Sequence, residues 1–261
     1  MQWENLTATE FKQAVEETGV CILACGVLEK HSEHLPLGTD MFVSHNVSVL
    51  AAEREPAVVF PPFYFGQIYE ARCFPGTLTI EPKLLLALFQ SVLDEIGRNG
   101  FKKIVLYNGH GGNNHLLRFL AQSTLWEEKP YSLYLYTGYT DEQQAAREAI
   151  RDTDLHEHAC ECETSVMLAI NEDLVKMDKV VDEPAYPLER LQDVPNSFLG
   201  ISWYADYPDH YAGDARSATK EKGEALREIS VSAFAEFLKA VKADKVAPSL
   251  EKEFHAKTDF S

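Results

Sequence analysis

Basic residues are scarce: 24 Lys and Arg stand against 41 Asp and Glu, a formal net charge of −17. So acidic a surface repels phosphate backbones and anionic lipid, so no nucleic acid and no membrane is expected as a partner. No long window is rich in Lys and Arg without matching acids. Long apolar runs are missing as well, and none approaches the roughly 20 residues of a spanning helix. The N-terminal Met-Gln-Trp-Glu-Asn has neither the basic nor the apolar region of a signal peptide. Only five cysteines occur, at 21, 25, 73, 160 and 162, and none is spaced CxxC. An odd count without redox or zinc spacing predicts free thiols and a cytoplasmic location. Cys21 and Cys25 are read as small buried hydrophobes. Histidine is sparse too, nine in all, so any clustering of it is informative.

With 261 residues, 45% hydrophobic and 25% charged, the chain is long enough for one large domain, taken as 1–261 because no linker interrupts it. Apolar runs at Val20–Gly26, Ala57–Phe60, Lys103–Tyr107 and Tyr131–Tyr136 read as strands. Helices are predicted at Met41–Arg54, Glu81–Asn99, Asn114–Trp126, Thr140–Arg151, Glu163–Ile170 and Lys222–Val241. Leu84, Leu85, Leu88, Val92 and Ile96 supply the apolar stripe of the second of these. Alternation of strand and helix at these lengths predicts an α/β fold: a three-layer α/β/α sandwich with a mainly parallel sheet. Residues 180–213, rich in Pro, Asp and Tyr, are expected to form a long functional loop or lid. Within them Trp203, Tyr204, His210 and Tyr211 are candidates to line a pocket. The last dozen residues are expected to be a loose tail.

Three segments carry chemistry. Directly after the first strand, Gly26-Val-Leu-Glu-Lys-His-Ser-Glu-His-Leu-Pro-Leu-Gly-Thr-Asp40 places Glu29, His31, Glu33, His34 and Asp40 within twelve residues. Mixed nitrogen and oxygen donors of this kind suit Zn, Mn or Fe in a hydrolytic site. The carboxyl end of a strand is also where open α/β sheets place their sites. A second segment, Asn108-Gly-His-Gly-Gly-Asn113, lies between a strand and a helix. It matches neither GxGxxG nor the P-loop lysine pattern, so it is either a phosphate turn or a turn that aims His110 at a metal or substrate. The third, His156-Glu-His-Ala-Cys-Glu-Cys-Glu-Thr-Ser165, opens a helix. There Glu161 and Glu163 suit either capping or ligation. Four of the nine histidines and six acids crowd into the first and third segments, more than capping requires.

Together these segments resemble the creatininase (creatinine amidohydrolase) family. Its G-x-x-E-x-H-G-x-H-L-P-L-x-T-D, N-G-H-G-G-N and H-A-G-x-x-E-T-S motifs are matched, in order, by Gly26–Asp40, Asn108–Asn113 and His158–Ser165. Phe74-Pro-Gly-Thr77 matches the F-P-G-T loop, and Pro62–Gly66 resembles the Y-G loop. The likeness runs from about residue 15 to 225. It implies a hydrolase with two divalent metal ions, Zn paired with Zn, Mn or Fe. Glu29, His31, Asp40, His110 and Glu163 would be ligands, with Asp40 bridging. His158 would handle the proton, and His34 would orient a ligand or the substrate. The resemblance also implies a small-molecule substrate and a homo-oligomer, often a hexamer. Ser32 and Cys160 replace glycines of the motifs. Creatinine-hydrolysing members carry a ligand Glu two residues after the central His, where this chain has Gly112, so the match is to the broader family. Members act on cyclic amides, formamides or, in one branch, a peptide. A non-catalytic metal-binding or phosphate-binding protein is the reading from another class.

Overall fold

The computed structural model describes residues 1–258. Four strands form a parallel sheet in the order β2-β1-β3-β4: β1 Val20–Cys25, β2 Val58–Val59, β3 Lys103–Asn108 and β4 Ser132–Tyr136. β1 is buried at all six positions, as a strand covered on both faces must be. Its side chains divide between two cores by alternation. Cys21, Leu23 and Cys25 join a cluster with Ala14, Leu85, Phe89, Leu93, Ile96, Leu117 and Leu120. Val20 and Ile22 join another with Val47, Ala51, Val231, Phe234 and Leu238. One face is therefore covered by α1 (Ala8–Thr18), α3 (Pro82–Arg98) and α4 (Asn114–Ser123), the other by α2 (Thr39–Arg54) and α8 (Lys220–Ala243). These are the three layers expected. Phe63 packs in the first core against Phe65 and Phe89, so the aromatic loop begins as packing.

Several local expectations are corrected. α1 escaped the sequence reading, although Thr7 and Glu10 close a reciprocal capping box at its start. β2 is only two residues long. On α3 the core-facing line is Leu85, Phe89, Leu93 and Ile96, while Leu84 points to solvent. The predicted helix at 114–126 ends its α-turns at Ser123 and tightens to a 3₁₀ turn at Thr124–Trp126. α5 is shorter than predicted, Asp141–Glu148, and α6 starts earlier, Glu161–Asn171. The loose tail is wrong for most of its length: α9 runs Val246–Ala256, and the last three residues lie outside the described ones. The irregular segment at 180–213 holds one short helix, α7 (Ser202–Asp206), and its end pairs back: β6 (Ala212–Gly213) lies antiparallel to β5 (His156–His158). Among the described residues no helix is long and apolar enough to cross a membrane.

One close approach positions the site. A Cβ on Gly109 would lie 2.7 Å from the Asp40 carbonyl oxygen and 2.6 Å from Ser44 Cβ. The absent side chain lets the turn after β3 press against the first turn of α2, which carries Asp40.

Candidate metal centre

All the gathered side chains sit beyond the carboxyl ends of β1 and β3. Glu29 and His31 lie on the loop leaving β1, held by the Glu29 N–H donating to the Leu37 carbonyl. Asp40 is in the first turn of α2. His110 follows β3 by two residues, His158 closes β5, and Glu163 is in the first turn of α6. Glu29, His31, Asp40, His110 and His158 are buried. Ligating atoms of Glu29, His31 and Asp40 lie within 4.8 Å of one another, as do those of His31, His158 and Glu163, and those of Glu29, His158 and His210.

Asp40 faces two ways. Its Oδ1 is 3.2 Å from His31 Nε2, and its Oδ2 is 3.1 Å from His110 Nδ1. Glu29 Oε1 is 2.8 Å from the same His110 nitrogen. Neither Glu29 Oε1 nor Asp40 Oδ2 makes a hydrogen bond with any described group. Two buried carboxylate oxygens converging on a ring nitrogen without a shared proton in line suit a cation better than they suit each other. The residues present thus fit divalent metal by donor chemistry and by their unsatisfied atoms.

Electrostatics say the same. Burial opposes a charge on His31, but Asp40, Glu29 and Glu163 around it push its pKa up to about 10. His110 is raised well above its ordinary value against burial by Glu29 and Asp40. Burial raises Glu163 to about 7, with His31 pulling down and Asp40 and Glu29 adding to the rise. His158 is pushed down to about 3 by burial and by the nearby His31. His34 falls to about 4 for the same two reasons. Without metal, the carboxylates draw protons onto His31 and His110 in place of cations.

A stability profile follows for metal-stripped protein. His31 and Glu163 have folded pKa values above their unfolded ones. Their contributions are complete below about pH 6.5 and 4.5, and are lost as pH rises through 10 and 7. His158 and His34 shift the other way, so theirs are lost as pH falls from about 6.5 through 4 and 3. The melting temperature of chelated protein is therefore expected to fall on both flanks, including a steady loss from pH 7 to 10. A flat alkaline profile would refute this assignment of charges.

Not every residue of the crowded segments joins. Glu33 is exposed and pairs with Lys30 at 2.9 Å. His156 and Glu157 are exposed. Glu161 is buried but structural: its carboxylate accepts the Asp152 and Thr153 N–H groups and contacts Lys222. His34 stands off the cluster, its Nε2 2.9 Å from the Thr164 hydroxyl, tying the first loop to α6. Asp214 and Arg216 pair at 2.7 Å as loop structure. Phe74 of the F-P-G-T loop packs against His210. His210 itself, buried and with Nε2 2.7 Å from Glu29 Oε2, had no motif to announce it beyond its place in the irregular segment. Asn113 accepts the Gln67 N–H through its side chain, and the loop at 108–113 turns His110 toward the acids.

A family profile described as Creatininase, creatinine amidohydrolase, matches residues 4–238. Creatinine amidohydrolase of Pseudomonas putida is 29% identical over 253 residues, covering 90% of this chain and 95% of that protein. A mycofactocin precursor peptide peptidase of Mycolicibacterium smegmatis is 30% identical over 233 residues, 86% of each. Among solved structures, a creatinine amidohydrolase superposes with a TM-score of 0.80 at 25% identity, covering 94% of this chain and 98% of that one. A manganese form of creatininase gives 0.78 at 25% identity, with 93% and 99% covered. With the profile spanning nearly the whole chain and the buried acid–histidine cluster at its centre, the chain belongs to the creatininase family of metal-dependent amidohydrolases, enzymes that hydrolyse carbon–nitrogen bonds.

Proposed function

We propose that this protein is a binuclear amidohydrolase that opens a non-peptide C–N bond in a cyclic amide or formamide. The observation that carries the reading is the two-way carboxylate of Asp40. It divides the donors into two groups, Glu29 with His110 and His31 with Glu163, and offers one oxygen to each. Those five residues would hold two divalent ions, with Asp40 between them. The chemistry such a pair supplies is Lewis acidity, which activates water near neutral pH and polarises a carbonyl. His158 stands beside both donor groups. Its Nε2–H donates to the Lys30 carbonyl at 2.8 Å, which leaves Nδ1 as the free acceptor. A neutral ring fixed in that tautomer would accept at Nδ1 the proton given up by the attacking water and deliver it to the departing nitrogen as the C–N bond breaks. Burial keeps bulk water from competing for that proton.

Creatinine itself is disfavoured as the substrate. A Cβ at residue 112 would stand 2.5 Å from His110 Nε2 and 2.6 Å from Gln67 Oε1, so a ligand Glu there would have to displace both. The 30% identity to a mycofactocin precursor peptidase makes a peptide amide the second reading. All five cysteines are free, which suits a reducing cytoplasm. Exposed Phe119, Trp126 and Phe198 offer apolar surface for a homo-oligomer.

Elemental analysis of protein purified without chelator is expected to find two equivalents of transition metal per chain. A panel of cyclic amides, formamides and short peptides, assayed with that protein, then separates the two readings. Absence of metal, with none taken up from added Zn or Mn, would end the binuclear proposal.

A further inference from the structure

The irregular segment at 180–213 sends two side chains to the cluster, and their hydrogen bonds have a direction. Trp203 on α7 has a single polar atom, the indole Nε1–H, which can only donate. It lies 3.2 Å from His210 Nδ1. That nitrogen must then present its lone pair, and in a neutral imidazole the proton sits on Nε2. His210 Nε2 is 2.7 Å from Glu29 Oε2. It faces the carboxylate as an N–H donor, with no lone pair left for a cation. The ring is held in place: it packs against Phe74 at 5.4 Å and His158 at 4.6 Å between centroids. The backbone of His210 is held as well. It adopts the left-handed conformation, φ 56°, its N–H donates to Tyr207, and its carbonyl accepts the Ser32 N–H.

We infer that Trp203 and His210 form a positioning pair for Glu29. The indole fixes the tautomer of His210, and the Nε2–H of His210 clamps Glu29 Oε2 so that Oε1 is turned toward His110 and Asp40. This inference rests on the metal reading above and deepens it. It also makes residues 202–210 part of the centre. Anything that settles Glu29 settles the segment, and the reverse holds by linkage.

Zinc affinity, read by chelator competition on wild type, His210→Ala, His210→Gln and Trp203→Phe, tests it. His210→Ala is expected to weaken binding by about 10- to 100-fold without removing a whole equivalent. His210→Gln keeps an N–H within reach of Glu29 and is expected to restore most of that loss. Trp203→Phe keeps the ring and loses the donor, for a smaller weakening. Affinity in His210→Ala within twofold of wild type overturns the pair. So does loss of a full equivalent that His210→Gln fails to restore, since that marks His210 as a direct ligand. If wild type takes up no zinc, it is the metal reading that fails. The pair is then decided by ¹⁵N NMR of the histidine rings. An Nε2–H tautomer at His210 that is lost in Trp203→Phe supports it, and an Nδ1–H tautomer overturns it.

Discussion

Asp40→Ala is expected to lose both cations and to lower kcat/KM by roughly 10³-fold or more, about 4 kcal/mol of transition-state stabilisation. The size follows from position. Asp40 turns one oxygen to His31 and the other to His110, so its removal takes a carboxylate donor from each group at once and leaves Glu29 as the acid beside His110. An alanine in the first turn of α2 keeps helix propensity, so the fold should survive. Elemental analysis and melting of the same sample separate loss of metal from loss of structure. A variant that keeps two equivalents per chain would show that the ligands are wrongly assigned.

His158→Ala is expected to behave differently. Its metal content should remain near that of wild type, while kcat falls by about 10²- to 10⁴-fold, the usual worth of a positioned acid or base. Its KM should change little, because the ring is assigned to proton movement rather than to substrate binding. The check is turnover of whichever amide the panel identifies, on protein with verified metal. If His158→Ala loses an equivalent of metal, His158 ligates, and the proton must be carried by another group.

The fold was readable where burial is complete. β1 and β3 announce themselves as apolar runs because both faces are covered, and their ends locate the loops that carry Glu29, His31 and His110. The helices of weaker pattern were missed for opposite reasons. α1 buries little beyond Ala14 and Thr18, so its polar face hides the period, although its capping box was there to read. α9 has Val246, Leu250 and Phe254 at four-residue spacing, but all three are exposed, and the charged residues between them suggested a tail. Within the site, Glu29, His31 and Asp40 lie together because one loop after β1 and the helix turn it leads into carry all three, and His110, His158 and Glu163 meet them from separate segments, whereas His34 stands off. His210 comes from 181 positions beyond Glu29, carried in by a two-residue strand pairing with β5. No local pattern encodes a contact made at that separation. The left-handed conformation of Ser32 was also invisible, yet it explains why the motif prefers glycine at that position.

α9 is tied to the sheet's edge. β4 is the last strand of its sheet, so among the described residues one side of its backbone has no strand partner. The Ser132 hydroxyl at its start donates to Glu251 of α9, and Tyr134 reaches Asp244 in the turn just before that helix. Removing the chain after α8 would cut these ties and leave β4 as a freer template for strand addition by another chain. A chain shortened after α8 is therefore expected to reveal the loss of these ties as aggregation before it reveals any change in chemistry, and light scattering of the shortened protein checks this.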